Sequence, residues 1–148
     1  IQDAEAIVEF IFEKFPKLKK VVEIGIGRLP DVAMKIKELR PDIEVIVTDI
    51  DKNALREVKE KNPSIIAVRD DILNPNIEIY RGAGLLYSIR TPPELLPYLK
   101  RLSSALRIPL IIRPLSSDLC AFLTDPRLRF VRYKNTTLLL YLPYEEKQ

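Results

Sequence analysis

Two hydrophobic rhythms alternate along this chain, and that alternation is the strongest constraint on its fold. Short apolar runs stand at 21–24, 43–48, 65–68, 85–88 and 110–112, all but the fourth rich in β-branched residues. Apolar runs of this length, bounded by turn residues, read as buried strands. Between them, residues 31–39 place Val32, Ala33, Ile36 and Leu39 on one helical face, and 52–60 and 94–106 read as further helices. A helix over 3–15 precedes the first strand, with Ala6, Ile7, Phe10, Ile11 and Phe12 on its apolar face, and Pro16 stops it. A brief helix near 117–123 follows the fifth strand. Strands that alternate with helices pair in parallel through right-handed crossovers. The end of the chain is different. Phe130–Tyr133, a Lys134-Asn135 turn and Thr137–Leu142 predict a hairpin, which puts an antiparallel edge on the parallel sheet. The fold expected is α/β: one doubly wound Rossmann-like domain over residues 1–148, mostly parallel, with an antiparallel edge hairpin at the C-terminus.

Composition narrows the chemistry. With 148 residues the chain has the size of one ordinary domain, which buries roughly 70% of its unfolded surface. No apolar run approaches the ~20 residues of a membrane helix, and no basic-then-apolar signal opens the chain. Cys120 stands alone, which leaves no internal disulfide and fits a reducing, cytoplasmic setting. Charged residues make up 30%, and glutamine occurs only at Gln2 and Gln148, a composition that suits a thermophile. The net charge of +3 permits an anionic ligand or RNA without requiring either. Histidine is absent, which excludes Ser-His-Asp triads, Cys-His pairs and histidine-based zinc sites.

In an open parallel sheet, ligands bind beyond the carboxyl ends of the strands, where strand order reverses. The residues that follow each strand are the candidates: Gly25 to Arg28, Asp49 to Asp51, Asp70 and Asp71, Ser88 to Glu94, and Arg113-Pro114. Gly25 and Gly27 let a ligand approach the backbone, and the helix after them is expected to offer free N–H groups. Asp49, after the second strand, is placed to accept ribose hydroxyls. The plainer alternative makes these turn glycines and a surface acid. Pro30 stands where a dinucleotide fingerprint has its third glycine, and Glu23 lies inside the preceding strand; both argue against a standard NAD site.

The run Val-Val-Glu-Ile-Gly-Ile-Gly (21–27) resembles the first motif of class I S-adenosylmethionine-dependent methyltransferases, and Val-Thr-Asp-Ile-Asp (47–51) resembles their second. Val-Arg-Asp-Asp-Ile (68–72) is similar to the third, and Ser88 to Pro93 occupies the place of the fourth. The resemblance implies S-adenosylmethionine as cofactor. Glu23, Gly25 and Gly27 would lie at its methionine end, Asp49 on the ribose, and Asp70 with Asp71 on the adenine side. Ser88, Arg90, Pro92 and Pro93 would face the acceptor. More narrowly, Arg-Asp-Asp-Ile, Ile-Tyr-Arg-Gly-Ala and Tyr-Ser-Ile-Arg-x-Pro-Pro-x-Glu resemble a family of small, uncharacterised archaeal proteins with this fold. Two departures stand out. Leu29 replaces the third glycine of the first motif, and the fourth reads Ile-Arg-Thr-Pro-Pro-Glu where amino-methylating enzymes carry Asp/Asn-Pro-Pro-aromatic.

Arg28, Arg90 and Arg113 each follow a strand, so they either grip an anion on the substrate side or join structural ion pairs. The acid pairs around Asp49 and Asp70 read as ribose contacts and helix caps, and no metal is expected. Cys120 reads as a small core residue, and Tyr80-Arg81-Gly82 as a connecting loop. The functional expectation is an S-adenosylmethionine-binding protein acting as a methyltransferase on an RNA, protein or small-molecule acceptor, with no residue singled out as catalytic. Two alternatives stand beside it. One is a non-catalytic binding module, whether partner subunit or homo-oligomer. The other is a nucleotide- or NAD-binding enzyme.

Overall fold

The structure, a computed structural model, describes residues 2–27 and 29–144. Its elements run α1 (Ala4–Lys14), β1 (Lys20–Ile24), α2 (Asp31–Leu39), β2 (Glu44–Asp49), α3 (Lys52–Lys61), β3 (Ile66–Arg69), α4 (Ile77–Tyr80), β4 (Leu85–Ile89), α5 (Leu96–Leu106), β5 (Leu110–Arg113), α6 (Leu119–Phe122), β6 (Arg129–Tyr133) and β7 (Thr136–Tyr141). The strands form one seven-stranded sheet in the order β3-β2-β1-β4-β5-β7-β6. The first five pair in parallel, while β7 runs antiparallel to both β5 and β6. This is the doubly wound α/β fold with the edge hairpin that the pattern predicts. Among the described residues, no helix is long and apolar enough to cross a membrane.

Alternation along the strands builds two cores. Val21, Val45, Val47, Leu85 and Ile111 face one side, where Ile7 and Ile11 of α1, Val32 and Ile36 of α2, and Val58 of α3 cover them. Val22, Ile24, Ile46, Leu86 and Ile112 face the other, under Tyr80 of α4, Leu99 and Leu102 of α5, and Phe122 of α6. Strands covered on both faces must be apolar throughout, so these runs carry no polar alternation.

Two local expectations are corrected. A short helix, α4, ends on Tyr80, the first residue of the expected Tyr80-Arg81-Gly82 loop. Asn76 caps it by accepting from the Glu78 N–H, and four residues are too few to show a helical period. Its last residue, Tyr80, is fully buried instead of lying in a connector. Cys120 is exposed, because α6 turns Phe122 into the core and a residue two positions away on a helix faces the opposite side.

The two ends of the chain meet at a buried acid. Asp3 accepts from Arg113 Nε at 2.9 Å and Nη2 at 3.0 Å, and from the Thr136 hydroxyl at 2.7 Å. It thereby ties the start of α1 to the end of β5 and the start of β7. Burial alone would raise the Asp3 pKa, but the hydrogen bonds from Arg113 and Thr136 outweigh it and hold the carboxyl below its usual range. Such a group contributes stability above the ordinary carboxylate pKa and loses it as pH falls through the lowered value. Asp3→Asn is expected to destabilise the fold at pH 7 by about 1.5–3 kcal/mol, the scale of hydrogen bonds to a charged group. In urea titrations the gap from wild type should hold from pH 7 to about 4 and close in stronger acid.

Candidate functional site

The order of strands reverses between β1 and β4, since β1 leads to β2 and β3 on one side and β4 leads to β5 on the other. A cavity of about 310 Å³ opens there, at the carboxyl ends of the strands. Gly25, Asp49, Asp70, Asp71, Ser88, Arg90 and Pro92 line it, along with Thr48 and an apolar set of Ile24, Ile50, Ile72, Leu73, Ile89, Leu95 and Leu99. Two larger hollows, of about 380 Å³ along α3 and about 410 Å³ around Phe15–Lys20, lie away from these strand ends.

The turn after β1 is fastened to the end of β2. The N–H groups of Gly25 and Ile26 both donate to the Thr48 carbonyl, at 2.9 and 3.1 Å, and the Gly27 N–H donates to Asp49 Oδ2 at 3.0 Å. The turn needs glycine because Gly25 and Gly27 have φ of +75° and +59°. No atom lies within 4 Å of where a Cβ of Gly25 would stand, so the space above the turn is open. The N–H groups of Gly25, Ile26 and Gly27 thus all point back to β2, while the first turn of the helix that follows, where free N–H groups are expected, has no side-chain cap. The helix behind it begins with Asp31 next to Pro30, an acid where an anion would have to approach.

Asp49 holds the turn and keeps capacity for a ligand. Its Oδ1 accepts from the Asp51 N–H at 2.9 Å, and each carboxylate oxygen retains a further lone pair. Asp71 accepts from the Leu73 N–H at 2.9 Å, which folds Ile72 and Leu73 over the cavity. Asp70 is more heavily committed. It accepts from the buried Tyr80 hydroxyl at 2.5 Å and from the Asn76 N–H at 3.0 Å, so it fastens α4 to the end of β3 while presenting an edge to the cavity. Burial first, and then the hydrogen bond to Asp70, push the Tyr80 pKa well up.

Glu23 does not line the cavity. It pairs in register with Tyr87 of β4 on the face covered by α1 and α2, where it is 1% exposed. The Tyr87 hydroxyl faces its carboxyl, yet none of the three oxygens completes a hydrogen bond of ordinary geometry. Burial pushes Glu23 up to about 8; Tyr87 and the charge of Arg90 pull it down, and the charge of Asp31 adds to the rise.

The arginines separate. Arg113 turns away from the cavity to its paired bonds with Asp3, which corrects the substrate-side expectation for it: its partner comes from the N-terminus, far away in sequence. Arg28 lies outside the described residues. Arg90 lines the cavity with a left-handed backbone, φ +53°, held by its N–H donating to the Arg113 carbonyl at 2.7 Å. The Thr91 hydroxyl donates to Ser88 Oγ at 2.8 Å and closes this loop. Pro92 is part of the wall, whereas Pro93 starts the 3₁₀ turn into α5 and stays outside the lining. Sequence reasoning missed the apolar wall. Its signal was an isoleucine directly after each acid, Ile50 after Asp49 and Ile72 after Asp71, where a polar loop would ordinarily begin. Among the described residues, no cluster of three or more His, Cys, Asp or Glu side chains could hold a metal ion.

The fold is methyltransferase-like. Its solved neighbours agree. The methyltransferase domain of bacterial CtHen1 superposes with a TM-score of 0.71 at 10% identity, covering 95% of this chain and 98% of that one. An RNA methyltransferase from Salinibacter ruber, solved in complex with S-adenosyl-L-homocysteine, superposes with a TM-score of 0.69 at 11% identity, covering 96% and 93%. The chain belongs to the uncharacterised protein family UPF0146, which it matches over residues 4–142. A UPF0146 protein of Pyrococcus abyssi is 42% identical over 112 residues, 76% of this chain and 82% of the relative.

A carboxyl whose folded pKa is raised withdraws stability as pH climbs from its unfolded value toward its folded one. Glu23→Gln is therefore expected to be more stable than wild type at neutral pH. Thermal melts should show the advantage growing between pH 4.5 and about 8 and levelling above that.

Proposed function

We propose that this chain binds S-adenosylmethionine and acts as a methyltransferase. The observation that carries the reading is the combination of Asp49, with lone pairs free for ribose hydroxyls, and a glycine turn in which the N–H groups of Gly25, Ile26 and Gly27 are engaged by β2. A phosphate-binding turn must present free N–H groups to its ligand; those of Gly25, Ile26 and Gly27 are taken up by β2. That disfavours NAD and nucleoside phosphates and favours a nucleoside without phosphates. The cavity volume of about 310 Å³ sits near the low end for small-molecule sites, roughly 300–1,000 Å³. The residues fit the group. Ile50, Ile72 and Leu73 would flank the base, Asp49 would accept the ribose hydroxyls, and the open space over Gly25 would admit the methionine arm. Bound there, S-adenosylmethionine would supply an electrophilic methyl on a cationic sulfonium, a charge favoured by the carboxylates of Asp49 and Asp71. In-line proximity supplies much of the acceleration of such a transfer, so the fold needs no dedicated base.

Calorimetric titration with S-adenosylhomocysteine, with NAD and ATP as controls, tests this. One-site binding of S-adenosylhomocysteine alone is expected. Asp49→Ala should weaken it by about 1.5–3 kcal/mol through lost charge-assisted ribose bonds. Equal affinity in the variant would remove the ribose assignment.

One observation favours a second reading, a binding module that joins another chain. β6 is an edge strand of the sheet, and its Phe130 is 52% exposed. Such edges and apolar patches are where chains associate. Sedimentation should then show self-association that Phe130→Asp abolishes; a monomer at every concentration would set a homo-oligomer aside.

A further inference from the structure

Among the described residues, Arg90 is the one arginine that lines the cavity, and three features mark it as more than part of the wall. First, it has no ion-pair partner among the described residues, while Arg113 at the end of the neighbouring strand is paired twice over. Its charge reaches Glu23, but that carboxyl lies buried without a hydrogen bond. Secondly, its backbone sits at φ +53°, a conformation that costs a non-glycine residue stability and that tends to persist where function requires it. Glycine would take that backbone more readily, so the side chain supplies something the fold does not need. Thirdly, the loop that carries it is fixed on both sides, by the bond to the Arg113 carbonyl and by the Thr91–Ser88 bond. Arg90 thus lines the cavity from a rigid base.

We propose that Arg90 is the residue of this cavity that recognises a carboxylate. A guanidinium presents a planar fork that matches a carboxylate with two parallel hydrogen bonds. The surroundings choose the carboxylate over a phosphate. Among the described residues the lining offers one cation against the carboxylates of Asp49, Asp70 and Asp71, and the N–H groups of Gly25, Ile26 and Gly27 in the nearby turn are already engaged. A singly charged, planar group is accommodated and a dianion is repelled. The carboxylate has two sources: the amino-acid end of the nucleoside ligand proposed above, or a separate acceptor molecule. This inference rests on that cavity being the binding site, and it moves Arg90 from a general acceptor-facing role to recognition of a specific chemical group.

The test uses S-adenosylhomocysteine and 5′-methylthioadenosine, which share the thioadenosine but differ in the amino-acid group, and acetate as a free carboxylate. Calorimetry on wild type and Arg90→Gln reads the first source. A loss of at least tenfold for S-adenosylhomocysteine, with 5′-methylthioadenosine unchanged within twofold, supports the proposal and assigns the carboxylate to the nucleoside ligand. Backbone amide shifts of Ser88 and Thr91 under acetate, with the protein saturated in 5′-methylthioadenosine, read the second. Saturable shifts that Arg90→Gln abolishes support the proposal with a separate acceptor. Arg90→Gly guards against a purely structural role: it should show no loss of melting temperature and yet the same binding defect as Arg90→Gln. If the variants bind every probe as wild type does, the proposal is overturned. If neither nucleoside binds wild type, the cofactor reading fails, and the acetate arm, run without nucleoside, decides the proposal by itself.

Discussion

The ligand edge of this domain depends on one small set of hydrogen bonds, those fastening the turn after β1 to the last two residues of β2. With Gly25 and Ile26 bonded to the Thr48 carbonyl and Gly27 to Asp49, the turn cannot rise to meet a phosphate. Asp49 is at the same time fixed with its carboxylate facing the cavity. On the proposed reading, this one arrangement bears both on what is refused and on what is accepted. The positive φ at both glycines is the geometric condition for it, which is why the spacing of Gly25 and Gly27 carries more information than their number.

Three buried acids show how differently the fold treats a carboxyl. Asp3 is given a paired guanidinium and a hydroxyl and becomes a clamp between the chain ends. Asp70 is given a tyrosine hydroxyl and a backbone N–H and becomes the anchor of α4. Glu23 is given no completed hydrogen bond at all. A buried carboxyl in that condition prefers its neutral form, and the domain is less stable at neutral pH for keeping it. Proteins retain such local conflicts most often at functional sites, and Glu23 lies directly before the turn on which the cavity depends.

Much of the fold was legible because hydrophobic period survives in sequence. The five parallel strands, the hairpin and the major helices follow from runs such as Val45–Val47 and faces such as Val32, Ala33 and Ile36. What was not legible depends on contacts between distant residues. Nothing near Arg113 announces Asp3, which lies at the other end of the chain, so that arginine read as a cleft residue. Tyr80 read as a loop aromatic because α4, with four residues, is too short to show a helical period, and its bond to Asp70 is a tertiary fact. Gly25, Asp49, Asp70, Asp71, Ser88, Arg90 and Pro92 do come together in one cavity. Glu23 and Gly27 act from behind it, a division that depends on which sheet face a residue takes and on where an N–H points.

Membership of UPF0146 and the superposition on methyltransferase domains fix the architecture. The chemistry rests on the cavity itself. A crystal structure of the chain grown with S-adenosylhomocysteine tests that most directly. The account predicts the nucleoside between the ends of β1 and β4, its ribose hydroxyls within hydrogen-bonding distance of Asp49, and the Gly27–Asp49 bond intact. A ligand bound elsewhere, or a turn that has released its bonds to β2 to receive it, would contradict the account.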